Sequence, residues 1–294
     1  MAINQNTKTN TGTNVYESVT TRIIEQLEKG VVPWKSPYLA TVGFPRNFAT
    51  GKAYRGINTW LLGMLGFSSP WFLTFVQAKA LGGNVKKGEK AAFVVKYGTY
   101  ETEDESGEEH KRGFLKSYSV FNASQIEGIE FPSVEIRPPV IDTCEEAKRI
   151  VDGMPNPPVI KYGTALAFYR PSDDSVHMPN IEDMTSPESF WGTLLHELSH
   201  ATGAEKRLNR KTLVENKGMH ASKQTYLEEE LVSEMSSAFL CAHAGIFESE
   251  CENSAAYLQG WLTALKQPDA KNWIIRAASQ AQKAADYILN NQNA

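Results

Sequence analysis

Residues 196–200 read His-Glu-Leu-Ser-His, a pentapeptide whose chemistry requires an α-helix. Four residues apart on a helix, His196 and His200 share one face. Two imidazole nitrogens can then hold one divalent ion, and Glu197 stands beside it to accept a proton from water. The flanks favour that helix. Ser186 reads as an N-cap, Pro187 suits the first helical position, and Glu188 puts a carboxylate in the first turn. Phe190, Leu194, Leu198 and Ala201 form an apolar stripe at i, i+4, i+8 and i+11. Thr193, His196 and His200 lie on a different face, and Gly203 marks a stop.

A tetrahedral zinc site takes three protein ligands and leaves the fourth position to water. The candidate source of the third is a second amphipathic helix over residues 226–242, YLEEELVSEMSSAFLCA. At 100° per residue, Leu227, Leu231, Met235, Ala238 and Ala242 surround one apolar centre. Glu234 lies nearest that centre, Glu230 at its edge, and Glu229 almost opposite. A carboxylate reaching a metal between two helices should flank the apolar face, which disfavours Glu228 and Glu229. The run EELVSE also resembles the NExxSD segment of thermolysin-like gluzincins, at a longer spacing from the second histidine. That resemblance implies Glu230 as ligand and Glu234 as acceptor of a histidine N–H, and the exchange of those two roles stays open. The chemistry such a site predicts is zinc-dependent peptide hydrolysis with Glu197 as general base. Tyr169, His177, Tyr226 and His243 are candidates for stabilising the oxyanion, and spacing does not choose among them.

At 294 residues the chain is long enough for two domains. No run approaches the roughly 20 apolar residues of a membrane span, and the start MAINQNTKTNTGTN lacks the basic and apolar regions of a signal peptide. The expectation is a cytoplasmic protein with no membrane partner. Cys144, Cys241 and Cys251 are widely spaced without a CxxC pair, which predicts free thiols.

Charge is unevenly distributed. Residues 31–100 carry nine basic side chains and one acid, Glu89, whereas residues 131–294 carry 15 basic and 22 acidic ones. Acids also collect in ETEDESGEEH, residues 101–110, which reads as a solvated hairpin loop between strands AAFVVKYGTY and GFLKSYSVF. The pattern predicts a tail over residues 1–14, a first domain over 15–130, a proline-rich linker over 131–143 and a second domain over 144–294. Helices are expected from Val15 to Lys29, near Asn58 to Leu65, near Trp71 to Leu81, from Cys144, at HELSH, around Glu230, and as a closing pair over residues 253–290. Strands are expected near Thr164 to Tyr169 and Ser175 to Met178.

The basic stretch interleaves cations with aromatic rings. Trp34, Lys35, Arg46, Tyr54, Arg55, Trp71, Lys86, Lys87 and Lys90 are its candidate contacts to single-stranded DNA, with cations following phosphates and rings stacking on bases. Trp60, Phe72 and Phe75 are assigned to the core instead.

Four motif-bearing runs in this half, WKSP at 34–37, FPRNFATGKAYRGIN at 44–58, WFLTFVQAKALGGNVKKGEKA at 71–91 and VFNASQIEG at 120–128, resemble the N-terminal domain of ArdC-type antirestriction proteins of conjugative plasmids. The runs YGTALAFYRPSDDSVHMP, FWGTLLHELSHATGAEKRL and EEELVSEMSSAFLCAHAGI are similar to the metallopeptidase domain of the same proteins. The resemblance implies an α+β fold of two domains: an α+β single-stranded-DNA-binding domain, then a helix-rich zincin-like metallopeptidase domain with a small sheet. It further implies Zn²⁺ as cofactor, a protein substrate of unknown identity, and protection of incoming DNA from host restriction. An alternative is a DNA-binding protein whose peptidase domain is structural or regulatory, with little turnover.

Overall fold

A computed structural model describes residues 12–35, 39, 42–103, 109–133, 143–214, 223–246, 254–267 and 270–290. Most of the expected tail, the hairpin tip at 104–108, linker residues 134–142 and Cys251 lie outside the described residues.

Helix α1 (Gly12–Glu28) buries Val15, Val19, Ile23 and Leu27, a stripe at fourfold spacing that gives it one apolar face. Strand β1 (Arg46–Asn47) is followed by α2 (Ile57–Gly63), β2 (Trp71–Leu73), α3 (Phe75–Ala80) and β3 (Asn84–Val85). The long hairpin β4 (Ala92–Glu103) and β5 (Glu109–Asn122) comes next, then β6 (Ile126–Glu127). One sheet runs β1-β2-β5-β4 and a small one pairs β3 with β6.

The single helix expected over Trp71–Leu81 is in fact a strand and a short helix. The β-prone Trp71-Phe72-Leu73 run pairs with β1 and β5. Thr74 then caps α3 through a reciprocal box with Gln77. Phe75, assigned above to the core, is 50% exposed.

The second half contains α4 (Thr143–Asp152), β7 (Val159–Tyr162), β8 (Phe168–Arg170), β9 (Ser175–Met178), α5 (Pro187–Ala201) and α6 (Lys211–Val214). Helices α7 (Lys223–Ala244), α8 (Ser254–Leu265) and α9 (Trp273–Ile288) complete it. Strand β9 lies between β7, parallel to it, and β8, antiparallel. Strand β7 gives only a weak sequence signal because it is an edge with an exposed, mixed composition. The architecture is α+β with two domains.

The largest hydrophobic core is shared by both halves. It unites α1, Trp34 and Trp60 with Phe239 of α7, Trp261 of α8 and Trp273 at the start of α9. Trp60 stacks on Phe239 at a centroid distance of 4.5 Å, and Trp34 meets Trp261 edge-on at 5.5 Å. The sheet of the first half keeps two smaller clusters of its own, around Phe72 and around Leu73. Among the described residues no helix is long and apolar enough to cross a membrane.

Candidate metal centre

Helix α5 starts as its sequence requires, with Ser186 Oγ accepting the Ser189 amide at 3.1 Å and Pro187 in the first turn. Its buried side lies against α7 through small residues. Ser199 Oγ donates to Ser236 Oγ at 2.9 Å, and Ser237 Oγ donates to the Gly192 carbonyl at 3.1 Å. These small contacts hold the two helices close. His196, His200 and Glu230 thereby bring one ligand atom each to within 4.8 Å of one another.

The individual distances suit a metal. The two histidine Nε2 atoms are 3.1 Å apart, and each lies 3.6 Å from an oxygen of Glu230. Two ligands on one tetrahedral zinc, at bond lengths near 2.1 Å, sit about 3.4 Å from each other. Charge points the same way. Glu197, Glu229, Glu230 and Glu234 are all buried at this helix pair, and Arg210 is the buried permanent cation paired among them, on Glu229. Burial disfavours charge on His200, yet the carboxylates of Glu229 and Glu230 beside it overcome that penalty and raise its proton affinity. His196 shifts the same way through Glu230 against the same penalty, with smaller help from Glu197 and Glu234. Burial would raise the Glu230 carboxyl, but the two histidines hold it well below the usual range. The cavity between these atoms is therefore a place that favours positive charge, and the donor set fits a divalent ion.

His200 is oriented from behind. Its Nδ1 lies 3.2 Å from Glu229 Oε1 and 2.9 Å from Ser233 Oγ. A carboxylate only accepts, so Nδ1 carries the hydrogen and Nε2 presents its lone pair to the ligand cavity. Glu229 is in turn held by Arg210, whose Nε donates to Oε2 at 3.1 Å, and by Thr212 Oγ1 at 2.5 Å. Arg210 also donates to Thr202 Oγ1 at 2.6 Å and to the Ser199 carbonyl at 2.8 Å, so the group spans the end of α5 and the loop after it.

This corrects the helical-wheel reading in one respect. Glu229, disfavoured there as almost opposite the apolar centre, is only 3% exposed and stands behind His200. The wheel assumes a single buried face, whereas α7 packs against α4, α5, α6, α8 and α9 and is buried on nearly every side. Arg210, ten residues past His200, is the sequence signal that the wheel leaves out. Glu234 is buried one turn beyond Glu230, and its charge acts on His196.

The four candidates for the oxyanion separate. Tyr169 donates its hydroxyl hydrogen to Asp174 at 2.8 Å, and burial pushes its pKa up. His177 stacks on Phe168 at 4.5 Å and pairs with Ser175 Oγ at 2.9 Å. His243 sits beside Phe44 at 4.7 Å, some 20 Å along the helix axis from Glu230. Tyr226 alone shares the face of Glu230 one turn away, at i−4, and is 44% exposed.

The nine residues expected at a nucleic-acid surface have different surroundings. Trp34 is 2% exposed and belongs to the shared core, because its ring completes the tryptophan cluster. Arg55 pairs with Asp286 of α9. Tyr54 meets Phe72 edge-on and Trp71 meets Phe48 likewise, and both are half-buried. Lys35 is half-buried, and Arg46 is exposed and paired in register with Trp71. Lys86, Lys87 and Lys90 occupy the exposed turn between β3 and β4, with Lys86 Nζ donating to the Ser124 carbonyl at 2.7 Å.

A helix carrying two histidines, packed on a second helix that supplies a glutamate, defines a zincin-like metalloprotein domain, here joined to a smaller sheet domain. Residues 13–121 match the N-terminal domain of anti-restriction factor ArdC, and residues 146–280 match the zincin-like metallopeptidase family. A protein designated y4eC from Sinorhizobium fredii is 32% identical over 298 residues, covering 96% of this chain and 94% of that one. A DNA primase TraC of Escherichia coli is 33% identical over 299 residues, and this chain spans 27% of that primase. The metal-free crystal structure of the antirestriction protein ArdC from plasmid R388 superposes with a TM-score of 0.77 at 37% identity, covering 95% of this chain and 97% of that one. Its Mn(II)-bound form gives 0.74 at 36% identity, covering 95% and 98%. The chain belongs to the ArdC family of antirestriction proteins.

Proposed function

We propose that this protein binds single-stranded DNA and hydrolyses peptide bonds at a zinc site formed by His196, His200 and Glu230, protecting DNA that enters on a conjugative plasmid. The observation that carries the reading is the convergence of three ligand atoms within 4.8 Å of one another, two of them on the helix that also bears Glu197. Family membership supports the antirestriction role, and the relation to DNA primases supports a nucleic-acid partner. In this reading residues 15–130 bind the strand, 131–143 link, and 144–294 form the peptidase. The site of action is the cytoplasm, and the protein substrate is one that meets incoming DNA.

Bound zinc would polarise a peptide carbonyl and bring the pKa of a bound water to about 7. Glu197 takes a proton from the attacking water and returns it to the leaving amine. Glu229 holds the Nδ1 hydrogen of His200, keeping its Nε2 turned to the ligand cavity. Glu234 supports His196 through its charge. Tyr226, one turn before Glu230, is the side chain we assign to the developing oxyanion.

A second reading has one observation in its favour: Trp34 and α1 are embedded among the peptidase helices. In it the zincin-like domain is a structural or regulatory platform for DNA binding. Glu197→Ala separates the two. We expect metal content and DNA affinity to be retained, and peptidase turnover to fall by about 10²- to 10⁴-fold, the usual contribution of a general base. Antirestriction lost along with turnover supports proteolysis. Antirestriction retained in full supports the platform, and a wild-type protein that takes up no metal refutes the enzymatic reading.

A further inference from the structure

The β4–β5 hairpin carries a cationic arrangement that folding does not explain. In its register Lys96 stands directly opposite Lys116, with Val94 opposite Tyr118 on one side and Gly98 opposite Phe114 on the other. These pairs share one face of the ribbon. Like charges directly opposite in an antiparallel pair are destabilising. Both lysines are exposed, and among the described residues neither meets a carboxylate.

The surroundings fix that face in place. The opposite face buries Val95 and Leu115 in the core that contains α1, and Arg22 of α1 lies over the Phe93 ring at 4.2 Å. At the base of the ribbon Ala92, Val94 and Val120 pack with Leu62 and Phe72. Gly98 allows the Phe114 ring to lie across the strand, since a Cβ there would come within 2.5 Å of it. Lys116 Nζ sits 5.0 Å from the Phe114 centroid, a cation–π contact that steadies its stem and leaves the ammonium group at the surface. Tyr118, two residues further along β5, is 43% exposed. Cations without counter-charge beside an exposed aromatic ring are the two components that a single strand of nucleic acid uses, phosphates on the former and a base on the latter.

We infer that this face of the ribbon, with Lys96 and Lys116 on phosphates and Tyr118 under a base, is the track for single-stranded DNA. The inference rests on the nucleic-acid reading above and moves it to residues outside the nine candidate contacts. The Lys86–Lys90 turn then becomes peripheral.

The test uses the full chain and a fluorescein-labelled oligothymidylate, with anisotropy titrations at several salt concentrations. Lys96→Ala with Lys116→Ala should weaken binding at least tenfold at low salt. It should also flatten the slope of log affinity against log salt by about 1.4, the release from two phosphates at about 0.7 each. Tyr118→Ala should weaken binding about tenfold with the slope unchanged. The double Lys→Arg variant should restore wild-type behaviour. Thermal melts certify folding, and Thr99→Ala on the opposite face serves as a neutral control. Wild-type binding with an unaltered slope in the double alanine variant overturns the track while leaving the nucleic-acid reading intact. Aggregation of that variant with unchanged affinity in its soluble fraction also overturns it, returning the lysines to guarding a sheet edge. A wild-type protein that binds no oligonucleotide overturns the reading and the track together.

Discussion

Around His200 the polar groups are tied into a closed network: Glu229, Ser233, Arg210 and Thr212 are bonded to the ring or to one another, and all but Thr212 are buried. Along the β4–β5 ribbon the opposite holds: Lys96 and Lys116 face solvent, and among the described residues neither has an acidic partner. The contrast fits what each region is proposed to recognise. A metal site has to fix lone pairs to within a few tenths of an ångström, which demands buried supports in a network with its own counter-charge. A surface for a polyanion of any sequence needs charge left uncompensated and side chains free to adapt, which demands exposure. Within one chain, then, paired charge marks a structural or ligand-supporting role, and unpaired charge marks an offer to a partner.

The largest effect expected on this comparison comes from Trp34, whose composition context suggested stacking but whose burial places it with Trp261. Trp34→Ala should cost about 3 to 5 kcal/mol of stability, the usual range for removing a buried tryptophan. Oligonucleotide affinity per folded molecule should stay at the wild-type value. A variant that keeps its melting temperature and loses binding would break the division between buried and exposed aromatics. Because this core joins both halves, a single unfolding transition is also expected by calorimetry.

Trp34 shows what could and could not be read in advance. A surface contact depends on which side of a ring the tertiary fold leaves open, and sequence spacing carries no such information. Trp34, Tyr54 and Trp71 all look alike in sequence, yet one is core and two are half-buried edge contacts. The candidate ligands His196 and His200 are different, since a helix with a clear cap fixes their geometry within five residues. Glu229 falls between the two cases: its helix was evident, but its partner Arg210 lies on a loop whose return to α7 only the fold reveals. The expected helix at Trp71 failed for a related reason. Strand β2 is three residues long and exists because β1 and β5 pair with it.

A somewhat smaller loss tests the paired-charge rule away from the metal. Asp174 accepts from Arg207 Nη1 at 2.7 Å and from Lys206 at 2.7 Å, tying the turn before β9 to the loop after α5. Burial would raise its carboxyl pKa, but the hydrogen bonds to Arg207 and Lys206 depress it strongly. A depressed carboxylate gives stability that is present above the unfolded value near 3.8 and is lost as pH falls below it. Asp174→Asn should remove about 3 kcal/mol at neutral pH by leaving Arg207 unpaired, its side chain being fully buried. It should also flatten the acid limb of a stability curve measured in urea. An unchanged acid limb would show that this pair is not the one that matters there.

Next in size is Glu229→Gln, which keeps the shape of the side chain but removes the charge that faces Arg210 and His200. Loss of such a support behind a ligating histidine costs about 10- to 100-fold in metal affinity. Competition with a chromogenic chelator would measure it, and Ser233→Ala, which removes the weaker partner of the same Nδ1, should lose less. Equal losses in the two variants would contradict the view that charge, rather than mere hydrogen bonding, organises this site.

The smallest effect sharpens the other side of the comparison. Lys87 and Lys90 are exposed in the turn between β3 and β4, and Lys86 already reaches the Ser124 carbonyl. Glu89 stands in the same turn, its carboxylate accepting from Gln125 Nε2 at 2.9 Å, so the local field there is partly cancelled. If uncompensated charge is what draws the strand, Lys87→Ala with Lys90→Ala should lower affinity less than twofold. It should change the salt slope by well under the roughly 1.4 that two full phosphate contacts give. A slope change as large as that expected for Lys96 and Lys116 would mean that the strand runs over the turn as well as the ribbon. Local charge cancellation would then be a poor guide to where DNA lies on this fold.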